Sequence, residues 1–129
     1  MTSPAMRARY LADSVNTASP ARLLIMLYER LVLDLSQAEA EMAAGRREEG
    51  GEKLMHAQEI VLELRATLDE EAWEGAAGLA QIYEFVVNEL IAANIKADLN
   101  RIVACRRLIE PLLDAWRQAA LAMADNPRT

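Results

Sequence analysis

Cysteine is almost absent from this chain of 129 residues: Cys105 stands alone, so no intramolecular disulfide can staple the fold. Basic tracts are missing as well. The net charge is −6 with no Lys or Arg cluster to offset it, which excludes nucleic acid and polybasic membrane-surface helices. The longest uninterrupted apolar run, Leu23 to Tyr28, falls far below the roughly 20 residues of a membrane span. Met1 to Tyr10 carries Arg7 and Arg9 with no apolar run behind them, so no secretory signal is read there. A soluble cytoplasmic chain is expected. Histidine occurs once, at His56, which cannot supply the paired Glu-x-x-His motifs of a di-iron or di-manganese bundle. No Gly-rich phosphate loop and no placeable Ser/His/Asp set is found, so neither metal, cofactor nor catalysis is expected.

Glycine and proline are also scarce, and what fills their place is Ala, Leu, Glu and Arg at helical spacing. Ser19 and Pro20 open the first helix. Ser19 suits an N-cap because its hydroxyl accepts from an unpartnered first-turn N–H, and Pro20 suits the first helical position. No Gly or Pro then interrupts the chain until Gly45. The core stripe predicted for this helix is Leu23, Leu24, Leu27, Tyr28, Leu31, Val32, Leu35, Ala38 and Met42. Ile25 falls at its far edge. Met26 and Leu33 fall outside it, among Arg22, Glu29, Arg30 and Gln37.

The glycines of Gly45 to Gly51 predict a turn, and a second helix from about Glu52 to Leu68 turns Leu54, Ala57, Val61, Leu64 and Leu68 inward. Met55 and Leu62 ride its flank. A third helix, its start blurred by Gly75 and Gly78, places Leu79, Ile82, Tyr83, Val86, Leu90 and Ala93 inward. Phe85, Val87 and Ile91 lie to either side, which makes this helix apolar over more than half its circumference. Asn94 is expected to end it and Asp98 to cap the fourth. The fourth stripe is Ile102, Cys105, Ile109, Leu112, Trp116, Ala119 and Met123, with a bend expected at Pro111. No strand pattern occurs. The expected fold is all-α, an antiparallel up-down-up-down four-helix bundle over residues 19–124, with an N-terminal arm (1–18) and a polar tail (125–129).

Two readings of the surplus apolar residues stay open at this point. Scattered exposed apolar side chains are common, and a homodimer could bury them. Alternatively they form a second apolar surface for a partner. Among enzymes, the serious alternative is a histidine phosphotransfer bundle using His56. Its setting, His56-Ala57-Gln58-Glu59, puts a carboxylate where a phosphohistidine would want a cation, so a solvated surface histidine is the simpler reading. Cys105 lies on the inward seam between Ile102 and Ile109 and reads as a small buried hydrophobe.

The run Tyr10…Val15…Thr17-Ala18-Ser19-Pro20…Leu23…Met26-Leu27-Tyr28 resembles the start of the flagellin-specific export chaperones, the FliS family. The likeness continues through Leu54…Ala57…Ile60…Leu64…Leu68-Asp69 and Leu79…Tyr83…Leu90…Ala93-Asn94…Asp98, and ends at Trp116. It differs in the second connection, where Ala72-Trp73-Glu74-Gly75 replaces a Gly-Gly pair. The resemblance implies a cytoplasmic chaperone, without ATP or cofactor, that binds the C-terminal segment of flagellin, prevents premature polymerisation and aids delivery to the flagellar type III export gate. An export-gate component is implied as a further partner; separately, the chain is expected to be a monomer or weak homodimer. The arm is implied to fold over the client groove through Tyr10. Candidates for the groove and arm are Tyr10, Met26, Leu33, Met55, Leu62, Tyr83, Phe85, Val87 and Ile91, and the methionines suit a surface that repacks around its partner.

Overall fold

The structure is a computed structural model that describes residues 19–125. Four helices follow one another: α1 (Pro20–Ala43), α2 (Arg47–Thr67), α3 (Ala76–Lys96) and α4 (Leu99–Asp125). They form an antiparallel bundle in which each helix packs on its two neighbours around a ring, α1–α2–α3–α4 and back to α1. Packing is loosest between α3 and α4.

Local signals set most of the boundaries. Ser19 Oγ accepts the Arg22 N–H at 3.1 Å, with Pro20 following in the first turn of α1. Gly45 takes a positive φ of 79°, which a residue without Cβ adopts freely, and it reverses the chain into α2. Asp98 Oδ1 accepts the Asn100 N–H at 3.1 Å at the start of α4. That helix runs without interruption through the exposed Pro111.

Two boundaries differ from the sequence expectation. First, α2 begins at Arg47 rather than Glu52, with Gly50 and Gly51 buried inside it. These glycines serve packing, not the turn. A Cβ on Gly50 would lie 2.9 Å from Met42 Cγ, and one on Gly51 would lie 2.9 Å from Asn94 Oδ1. The Met42 and Asn94 side chains therefore occupy the space that a Cβ at these two positions would need. Second, Asn94 does not end α3. The left-handed residue is Ala97 (φ 51°, ψ 45°), while Asn94 sits in the last turn with Nδ2 reaching Gly51 O at 3.5 Å.

The core is aliphatic, with Tyr28 and Tyr83 at its centre and Cys105 fully buried beside Ile102 and Ile109. Its stripes are rotated slightly from the predicted ones. Ile25 and Ile60 are buried, because each lies toward a second neighbouring helix and not only toward the bundle axis. On α4 the buried position is Leu113, with Leu112 half-buried, and Ala119 and Met123 are exposed. Ion pairs close the seams at the surface: Arg106 Nε to Glu39 Oε2 at 2.7 Å and Arg117 Nη2 to Glu29 Oε2 at 2.9 Å join α4 to α1. Arg101 grips both oxygens of Glu89 at 2.9–3.0 Å, joining α4 to α3.

Candidate functional site

Helix α3 has more apolar surface than the core can use, and its sequence spacing sends the excess to both flanks. Val87, Ile91 and Asn94 recur at four and three residues and therefore share the flank toward α2. There they meet Met55 and Leu62, which α2 carries seven residues apart on its side toward α3. Leu62, Arg65, Val87 and Asn88 wall a cavity of about 410 Å³ on this flank, and Tyr83 contributes its floor. A second, more charged hollow, lined by Arg47, Glu48, Gly51, Glu52, Met55 and Asn94, lies toward the other end of the two helices.

The opposite flank of α3 faces α4. Leu79 and Ile82 of α3, Leu112, Ala115, Trp116 and Ala119 of α4, and Trp73 from the α2–α3 connection enclose a cavity of about 480 Å³. Its surface is almost wholly apolar. Phe85 lies one turn beyond Ile82 on this side. The cavity exists because small residues face it: an added Cβ at Gly78 would meet nothing within 4 Å, and Ala115 and Ala119 leave similar room on α4. Trp73 stacks edge-to-face on Trp116, ring centroids 6.4 Å apart, and Trp116 in turn meets Tyr28 at 6.3 Å. A third apolar hollow, between the start of α1 and the end of α2, is lined by Leu23, Leu24, Met26 and Leu27 with Leu64 and Thr67.

The candidates divide among these surfaces. Met26, Leu33, Met55, Leu62, Phe85 and Ile91 are each between 42% and 57% exposed, far more than core positions. Met55, Leu62, Val87 and Ile91 come together on the α2 flank, and Phe85 belongs to the α4 flank. Met26 lies apart, at the rim of the α1–α2 hollow. Leu33 stands on the outer face of α1 and lines none of these cavities. Tyr83 is a core residue that also lines the floor of the α2-flank cavity: it is 1% exposed, and its hydroxyl shares a 2.7 Å hydrogen bond with that of Tyr28. Burial raises the pKa of both tyrosines. Tyr10 lies outside the described residues. The α4-flank cavity was missed as a unit, although Gly75, Gly78, Ala115 and Ala119 facing two tryptophans were its signal.

His56 is more than a solvated surface histidine. Its Nδ1 hydrogen-bonds Asp34 Oδ2, and Asp34 is the one fully buried charged residue among those described. The other Asp34 oxygen forms no hydrogen bond, its nearest cation being Arg30 Nε at 3.4 Å. The histidine thus ties α2 to α1. Cys105 is sealed in the core, where burial, followed by the nearby Glu89 charge, pushes its thiol up to about 12. Among the described residues no group of three or more His, Cys, Asp or Glu is placed to hold a metal, and no helix is long and apolar enough to cross a membrane.

Comparison with known proteins agrees with this geometry. The chain is 33% identical over 110 residues to the flagellar secretion chaperone FliS of Bacillus subtilis (strain 168), covering 85% of this chain and 82% of that one. It is 32% identical over 107 residues to the flagellar secretion chaperone FliS of Vibrio cholerae, covering 82% and 79%. A solved bacterial flagellar chaperone superposes with a TM-score of 0.74 at 22% identity over 92% of this chain and 99% of its own, which shows the shared bundle fold. The family model of the flagellar protein FliS matches residues 1–123. The chain therefore belongs to the FliS family of flagellar secretion chaperones.

Proposed function

We propose that this chain is a cytoplasmic, non-enzymatic chaperone that binds the C-terminal segment of flagellin, holds it from polymerising, and hands it to the flagellar export gate. The observation that carries this reading is the row of surplus apolar side chains on the α2 flank of α3, Met55, Leu62, Val87 and Ile91, beside a groove that Arg65 and Glu84 also line. These side chains are surplus to a core already closed beneath them by Leu54, Val61, Val86 and Leu90. A groove between two helices seats an amphipathic helix of a partner, with apolar anchors at three- and four-residue spacing. Met55, unbranched and flexible, adapts to different anchors without strain.

Such a client orders as it binds, at a cost of about 2–5 kcal/mol or more, which buried apolar anchors have to exceed. Isothermal calorimetry with a synthetic peptide of the cognate flagellin C-terminal segment tests the reading. A 1:1 complex with a negative heat-capacity change is expected. Absence of binding heat at several temperatures would overturn it. The phosphotransfer alternative is disfavoured by charge, because Glu52 and Glu59 lie within a turn of His56 on α2 and would repel a phosphoryl group.

A further inference from the structure

The geometry points to a distinct anchor site on the other flank of α3, an inference that rests on the client reading above: the α3–α4 cavity takes one large apolar side chain of an amphipathic helix, Trp73 is its movable wall, and Glu71 and Glu74 meet basic residues beside that anchor.

The cavity is the first argument. At about 480 Å³ and almost entirely apolar, it lies at the loosest seam of the bundle, so it is space that the side chains of the described residues leave unfilled. Its walls are two helices, a geometry that receives a helix and its anchor side chain. The second argument is the wall itself. Trp73 belongs to the connection between α2 and α3 and not to either helix, and it remains 48% exposed despite its size. Its ring lies across Gly75, where an added Cβ would stand 2.1 Å from Trp73 Cζ3. Only a glycine at 75 permits that position. A side chain held by one edge contact to Trp116 and by a glycine floor can swing without moving a helix.

Charge selects the occupant. The connection from Asp69 to Gly75 contains Asp69, Glu70, Glu71 and Glu74 and no Lys or Arg. Asp69 Oδ1 accepts the Glu71 N–H, and Glu70 pairs with Arg65 at 3.4 Å. The Glu71 and Glu74 carboxylates make no ion pair among the described residues, so they are left to face a partner of opposite sign. The net charge of −6 acts in the same direction during encounter. The occupant is thus a helix with an apolar stripe and a Lys or Arg on the side that reaches the connection.

The experiment compares wild type, Trp73→Ala, Gly78→Leu and the double variant Glu71→Gln/Glu74→Gln, using the synthetic peptide of the cognate flagellin C-terminal segment. Trp73→Ala is expected to weaken binding by about tenfold or more while the melting temperature moves by only a few degrees. Gly78→Leu, whose Cβ would meet nothing within 4 Å, extends a side chain into the cavity from α3 and is expected to weaken binding similarly. The double glutamine variant is expected to slow association and flatten its salt dependence while dissociation is unchanged. Tryptophan emission should shift on binding in wild type, and the shift should shrink in Trp73→Phe. Full affinity in both Trp73→Ala and Gly78→Leu, with the peptide still bound, overturns the anchor site and leaves the chaperone reading standing. Failure of the wild type to bind removes both.

Discussion

Leu62 and Leu64 stand two residues apart on α2 and separate binding from folding. Leu62 is 53% exposed, and Leu64 is 2% exposed. Fully burying a leucine contributes about 1.5–3 kcal/mol, so the half of Leu62 that a client can still cover is worth about 0.8–1.6 kcal/mol. Leu62→Ala should therefore weaken flagellin-peptide binding by about 1 kcal/mol, roughly fivefold. Its effect on folding should stay under about 1 kcal/mol, because the side chain is already half in water and alanine favours helix. Leu64→Ala reverses the pattern: it opens a cavity in the core and should cost about 2–5 kcal/mol of folding stability. Extending the first substitution to Met55, Leu62 and Ile91 together should lower affinity on the order of a hundredfold, taking the three contributions as additive. Calorimetry gives the affinities and urea denaturation the stabilities. A triple-alanine variant that binds as wild type would refute the assignment of the α2 flank of α3 as a client surface.

Three further expectations concern the buried polar groups. Tyr28 and Tyr83 have pKa values raised by burial above the ordinary 10.0, so above that pH the unfolded chain loses protons that the fold retains. Stability is then fully present below about pH 10 and falls by up to about 1.4 kcal/mol per pH unit for each tyrosine as the pH climbs; denaturation titrations should show the slope shrink in Tyr83→Phe. The Cys105 thiol, pushed up to about 12 and buried, should resist Ellman's reagent near neutral pH until the chain unfolds, and prompt labelling of the native protein would contradict the burial. His56→Ala strands the buried Asp34 carboxylate and should cost about 2–4 kcal/mol of folding stability, whereas Asp34→Ala added to it should recover part of that loss. Equal stability of His56→Ala and wild type in urea would show that the pair holds nothing.

Much of the fold is legible in the residue spacing, because helices with one core-facing stripe write that stripe every three or four positions. Tyr28, Leu31, Leu35, Leu54, Ala57, Val61, Leu90 and Ile102 are read this way and are buried. The failures have a common cause. A helix in a ring of four touches two neighbours, and the angle at which each touches is a tertiary property. That is why Ile25 and Ile60 go inside and why Leu113 replaces Leu112. Gly50 and Gly51 mislead for a related reason: glycine marks a turn and a seat for a neighbouring helix's side chain with the same letter. Asp34 falls on the core stripe, three residues after Leu31 and four before Ala38, but a carboxylate reads as surface, and the position of His56 on the next helix explains how it can be buried there. The exposed residues were easier to read than the core. Met26, Leu33, Met55, Leu62, Phe85 and Ile91 are all at the surface. What the spacing does not reveal is which of them share a groove, since that depends on which helices are neighbours.

The distribution of the surplus apolar area bears on how a client is held. Concentrated on one face, Met55, Leu62, Val87, Ile91, Phe85 and Trp73 would make a large sticky patch, the kind that drives self-association. They are instead divided between two flanks, with α3 as a ridge between them. Charged residues break up the surface around them: Arg65 with Glu70 and Glu84 on one side, and the Arg101 clamp on Glu89 on the other. A rigid globular partner cannot enter two grooves on opposite sides of one helix at once. A segment without a fold of its own can do so, and it gains the second groove at a high effective concentration once the first is filled. Division of the apolar surface therefore favours an extended, unfolded client over a folded one, and it does so through bundle geometry alone.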